Sequence, residues 1–97
     1  MPKAYWVAHV DVDDPEIYAK YREANAVAFA KYGAKFIVRG GNQIQREGLS
    51  RARTVVIEFA DMDTAVACFD SPEYQAAKDI RDPISTADLV IVEGYDA

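Results

Sequence analysis

Apolar and polar side chains alternate from the start of the chain. Ala4, Trp6, Ala8, Val10 and Val12 fall on one side, and Tyr5, Val7, His9 and Asp11 on the other. A period of two carried by β-branched and aromatic residues predicts a strand over 4–12 with one apolar and one mixed face. Asp14-Pro15 then supplies a capping carboxylate and a residue with no N–H to lose, so a helix should begin at Pro15. Ile17, Tyr18, Tyr21, Ala24, Ala28, Phe29 and Tyr32 recur at three- and four-residue spacing, and Gly33 is placed to end the helix in a left-handed cap.

Residues 34–39 return to strand chemistry through Phe36-Ile37-Val38, and Gly40-Gly41-Asn42 marks a bend, with a short extension through Ile44 expected beyond it. The run Thr54-Val55-Val56-Ile57-Glu58-Phe59 is apolar on both sides and predicts a central strand. Asp61 caps a second helix, and Ser71-Pro72 restarts it with a fresh cap. Pro83 sets a break, and Leu89-Val90-Ile91-Val92-Glu93 reads as the fourth strand. The order βαββαβ, with no linker or repeat, predicts one α+β domain over residues 1–97: a ferredoxin-like fold whose four-stranded antiparallel sheet carries the helices on one face. Strands 1, 3 and 4 are apolar on both faces, so a second surface must cover the open one, and a symmetric homodimer joined sheet to sheet does so without extra sequence.

Composition narrows the function classes. The chain has 97 residues, 51% of them hydrophobic, and a formal net charge of −5, which argues against a nucleic-acid partner. The charge is uneven: Lys35, Arg39, Arg46, Arg51 and Arg53 against Glu47 give +4 over residues 35–53 and leave −9 elsewhere, making that segment the candidate anion-facing surface. One cysteine and one histidine exclude an internal disulfide and any site needing two imidazoles. Asp11, Asp13 and Asp14 lack the ligand spacing of a calcium loop, so no metal is expected. With no signal-peptide core and no apolar run long enough to span a bilayer, a cytoplasmic location without membrane contact is expected.

Several segments together resemble the family called domain of unknown function 1330: Tyr5-Trp6-Val7-Ala8, Phe36-Ile37-Val38-Arg39-Gly40-Gly41, Val55-Val56-Ile57-Glu58-Phe59, Ser71-Pro72-Glu73-Tyr74-Gln75 and Ile91-Val92-Glu93-Gly94. The resemblance implies the dimeric α+β barrel superfamily, in which two ferredoxin-like subunits form a barrel through their sheets. That superfamily includes cofactor-independent monooxygenases, haem-degrading enzymes and lactone isomerases. Trp6 and His9 fall on opposite faces of one strand, against the arrangement that haem degradation uses.

His9 is the one side chain that ordinarily titrates near neutrality, so a proton-transfer step would most economically use it, with Asp11 on the same face to orient the ring. Its structural alternative is an imidazole satisfied within the sheet or interface. Arg39, set before two glycines, is a candidate for holding a carboxylate or developing oxyanion; its structural alternative is an ion pair with Glu58 or Glu93. Tyr21, Glu58 and Tyr74 are further candidate ligand-binding residues, the tyrosines because a phenol joins an apolar body to one polar tip. Ser71 is explained by capping, and Cys68 reads as a small buried hydrophobe. The reading is a pocket for a small anionic or carbonyl-bearing molecule, with or without acid–base catalysis, and no cofactor. Its rival is a non-catalytic binding or interaction scaffold.

Overall fold

The computed structural model describes residues 2–95. The chain runs β1 (Ala4–Val12), α1 (Pro15–Lys31), β2 (Lys35–Arg39), β3 (Arg53–Phe59), α2 (Met62–Asp70), α3 (Pro72–Arg81), a 3-10 turn (Asp82–Ile84) and β4 (Ser85–Glu93). The strands form one antiparallel sheet in the order β2-β3-β1-β4, so β3 is interior, as its two apolar sides require. This is the ferredoxin-like arrangement. The molecule measures 38 × 36 × 17 Å, and the thin dimension is that of one sheet and one helical layer.

Capping follows the residue chemistry. Asp14 accepts from the amides of Glu16 and Ile17, and Asp61 from that of Thr64. Ser71 separates α2 from α3 and serves both: its hydroxyl donates to Cys68 O at 2.7 Å and accepts from Tyr74 N at 3.1 Å. The core is the contact of β1 and β3 with the helices. Trp6 is fully buried at its centre, with the rings of Phe29, Phe59, Phe69 and Tyr74 packed around it at centroid distances of 4.8–5.6 Å. Its indole N–H donates to Ala65 O at 2.9 Å, which satisfies the one polar atom that burial would otherwise strand.

Two expectations are corrected. β4 starts at Ser85 rather than Leu89, because residues 85–88 continue the ladder with Val12 to His9 of β1 although their composition is polar. The strand extension through Ile44 is absent. Gly40, at φ +67°, donates its N–H to Thr54 O and turns the chain out of the sheet, and residues 40–52 have no regular structure.

One irregularity matters for the site. β2 pairs with β3 through Phe36↔Ile57, then Val38↔Val56 and Arg39↔Val55, so Ile37 is an extra, bulged residue. In an unbroken strand, Phe36 and Arg39 would face opposite ways. The bulge puts both on the helix-covered face, and the Arg39 guanidinium lies 4.3 Å from the Phe36 ring centroid.

Candidate functional site

Between the sheet and the α1/α3 layer lies a cavity of ≈ 40 Å³. Alternation along β3 brings Arg53 to it on the same side as Val55 and Ile57, and the bulge brings Arg39. α1 contributes Tyr18, Tyr21 and Asn25 at helical spacing, and Arg22 at the rim. α3 contributes Tyr74 and Arg81, seven residues and two turns apart. Four arginines therefore line the cavity, and no carboxylate does among the described residues, in a chain whose net charge is −5.

The buried end is polar and ordered. The Tyr21 and Tyr74 hydroxyls share a hydrogen bond of 2.9 Å. That bond uses one phenolic proton and leaves the other for an acceptor beside it. Burial, together with Tyr74, pushes the Tyr21 phenol well above its ordinary range, and burial raises Tyr18 likewise, so both are neutral donors at physiological pH.

Arg81 is only 7% exposed and its guanidinium lies 5.5 Å from the Tyr21 ring centroid. Desolvation opposes its charge, but the oxygens of Tyr74, Tyr21 and Asp82 outweigh that and hold it protonated. Its nearest carboxylate oxygen, on Asp82, is 4.0 Å away, and Nε has no partner. Arg53 repeats the pattern: Nε is buried without a partner, and the guanidinium sits 5.6 Å from the Tyr18 ring centroid. Its Nη1 lies against Gly40, where an added Cβ would approach it to 2.1 Å, so glycine at this turn makes the room that Arg53 occupies.

The residues picked out from sequence separate into two groups. Arg39, Tyr21 and Tyr74 line the cavity together. His9 and Glu58 do not, because their register places them on the open face of the sheet. The expectation that His9 and Arg39 converge on one ligand is therefore corrected: the sheet stands between them. His9 Nδ1 is 3.1 Å from Thr54 Oγ1, whose single proton goes to Gln43 Oε1, so Nδ1 is the donor and the ring is held as part of the sheet surface. Asp11 does not orient it. Its carboxylate instead accepts from Arg51 at 2.9 Å and from the Ala52 amide at 3.0 Å, which holds it below the usual carboxylate range. Glu58 pairs with Lys3 at 3.4 Å rather than with Arg39. Of the basic segment, Arg39 and Arg53 reach the cavity, while Arg51 bridges Asp11 and Asp88 on the opposite face.

Sequence reasoning missed Asn25 and Arg81, and held Arg53 only as one charge of the basic segment. Their periodicity was informative: Asn25 lies on the Tyr21–Phe29 stripe, Arg53 alternates in phase with Val55, and Arg81 follows Tyr74 and Ala77. Cys68, buried against Ala28 O, has its thiol pushed up to about 12, chiefly by burial and then by Glu73, and takes no part in the cavity. The described residues contain no cluster of three or more potential metal-ligating His, Cys, Asp or Glu side chains, and no helix long and apolar enough to cross a membrane.

The open face keeps an exposed apolar patch beside its polar groups. Val90 and Val92 are 59% and 45% exposed, and Ile37 and Val38 at the sheet edge are exposed too.

Comparison with known proteins is consistent with this architecture. Residues 3–95 match the family described as Domain of unknown function (DUF1330). No curated protein matches the chain by sequence. Among solved structures, a protein of unknown function from Rhodopseudomonas palustris superposes with a TM-score of 0.77 at 16% identity, over 99% of this chain and 85% of that one. SnoaB, a cofactor-independent oxygenase from Streptomyces nogalater, gives 0.66 at 15% identity, over 100% and 97%. A dimeric ferredoxin-like protein of unknown function from a Jannaschia species gives 0.68 at 16% identity, over 95% and 99%.

Proposed function

Since the chain belongs to the domain of unknown function DUF1330 family, whose description names no activity, we propose a function from its own cavity: it is a cytoplasmic homodimer, each subunit of which holds a small anionic or carbonyl-bearing organic molecule between sheet and helices. The observation that carries this is that, among the described residues, four arginines and no carboxylate line the cavity and two guanidinium Nε atoms are buried and unpartnered. A buried, unpaired donor on a charged group costs on the order of 1–3 kcal/mol, and an anion in the cavity removes that cost. The aromatic wall of Trp6, Phe29 and Phe36 suits an apolar body behind the charged end.

The dimer is supported by the exposed valines of the open face and by the dimeric state of ferredoxin-like neighbours. Binding is favoured over acid–base catalysis by one observation. The cavity offers guanidiniums, phenols and an amide, while the one imidazole of the chain is on the other side of the sheet. If a bound carbonyl compound does react, the arginines would stabilise the oxyanion and the base would have to come from the substrate or solvent.

Native mass spectrometry of gently purified protein tests both parts. The expected result is twice the subunit mass with a small acid retained, and a thermal-unfolding midpoint that rises with added organic anions. A monomer at micromolar concentration would refute the dimer. A midpoint indifferent to a broad panel of organic anions, measured at constant ionic strength, would refute the anion cavity.

A further inference from the structure

Resting on that reading, the arrangement of the arginines narrows the ligand class. They are not one cluster. Arg53 packs on Tyr18 at 5.6 Å, Tyr18 on Tyr21 at 5.2 Å, and Tyr21 on Arg81 at 5.5 Å, so the guanidiniums of Arg53 and Arg81 rest on different phenol rings. Arg39 belongs with Arg53: both adjoin Gly40, one as its chain neighbour and the other with Nη1 against its Cα. The cavity thus has a positive pole at the sheet edge, from Arg39 and Arg53, and a second on α3, where Arg81 stands beside the Tyr21–Tyr74 hydroxyl pair.

Each pole carries a buried Nε that no described residue satisfies. A single carboxylate spans only a few ångströms and can serve one pole. It leaves the other unpaired and the cost of its burial in place. Two anionic groups joined by a short spacer answer both. The ≈ 40 Å³ of the cavity seats about three waters, which is the room of a short carbon chain, and its lining includes the apolar Ala8, Val10 and Val55, with Arg22 the one further charge, exposed at the rim.

We infer that the cavity takes a short-chain dicarboxylate, one carboxylate on Arg39 and Arg53 and the other on Arg81 and the free phenolic proton. Arg39, exposed at the rim, is the group that completes the outer pole as the ligand enters.

The test is calorimetric titration of the dimer, at constant ionic strength, with malonate, succinate and glutarate, with propionate, butyrate and valerate as monoacids of matching chain length, and with sulfate as a compact dianion. One diacid should bind at least about tenfold tighter than its matched monoacid, the gain expected from a second charge-assisted contact. Arg39→Gln should weaken binding of that diacid by about tenfold, to near the parent protein's affinity for the matched monoacid. Arg53→Lys, which keeps the charge and loses the planar fork, gives a second variant with the same expectation. Equal binding of diacids and monoacids, or sulfate as tight as the best diacid, would overturn the two-pole assignment and leave the anion cavity standing. Failure of every acid to bind would remove both readings together.

Discussion

Arg81→Met separates a binding residue from a structural one. The arginine side chain is 8% exposed, has one unpartnered Nε and lies 4.0 Å from the nearest carboxylate oxygen. Methionine is unbranched, has similar reach and needs no hydrogen bond. Removing the stranded donor should recover on the order of 1–3 kcal/mol. Losses oppose this: the contact with the Tyr21 ring is worth roughly 0.5–2 kcal/mol, and a positive charge in the last turn of α3 roughly 0.3–1 kcal/mol. Replacing a buried ionic group with a hydrophobe of similar volume is commonly neutral or stabilising by about 1–4 kcal/mol. The two losses together match the gain, so the expected net is close to zero in the unliganded protein and the unfolding midpoint should stay within a few degrees of the parent's, at roughly 4–8 °C per kcal/mol for a domain of this size. Thermal unfolding followed by far-ultraviolet circular dichroism measures it, at one protomer concentration for both proteins because dimerisation contributes to the midpoint. The same variant should lose the midpoint increase that organic anions give the parent. A midpoint lowered by several degrees would show that Arg81 stabilises the empty fold, and the argument for a second pole would fail with it.

Other expectations follow from the same geometry. Gly40→Ala forces a side chain into the left-handed region at a cost of roughly 1–2 kcal/mol and pushes Arg53 out of its place, so it should lower the midpoint modestly and weaken anion binding in calorimetry; unchanged binding would mean that Arg53 is not held by this turn. Val90→Glu combined with Val92→Glu should give a monomer in analytical ultracentrifugation, since both side chains are on the open face, and a dimer of unchanged affinity would place the interface elsewhere. The carboxyls of Asp11, Asp61 and Glu73 are held below their ordinary values by Ala52 and Arg51, by Thr64, and by Lys31. The stability they contribute is present above the ordinary values of 3.8 for Asp and 4.5 for Glu and is lost as pH falls through the lowered ones. The midpoint should therefore fall steeply below about pH 4.5, and Asp61→Asn should flatten part of that fall; an unaltered acid profile would exclude the α2 cap as a contributor.

Much of this fold was legible because each element carried its own local chemistry. Asp14-Pro15, Asp61 and Ser71-Pro72 fix helix starts through atoms within three residues. The alternation in β1 separates Trp6 from His9 correctly. The cavity was less legible because it depends on relations between distant segments. A bulge is invisible in a run as uniformly apolar as Phe36-Ile37-Val38, and it alone decides the face of Arg39. Arg53 and Arg81 occupy inward positions by period, yet their charge reads as solvent-facing until the structure shows the helices closing over them. His9 attracted attention for its pKa class, and the register that puts it beside Thr54 cannot be read from one strand.

The bulged residue of β2 has an evolutionary consequence. Because β2 is at the sheet margin, bonded to β3 alone, its pairing can shift by one residue without disturbing the interior ladders. A single-codon deletion at Ile37 would remove the bulge and leave Phe36 opposite Ile57 and Arg39 opposite Val55, both still on the cavity side, whereas straightening the strand with Ile37 retained would bring Val38 in and carry Arg39 out. Selection can thus exchange the chemistry of this mouth through the pairing of one marginal strand, without rebuilding the core that Trp6 anchors.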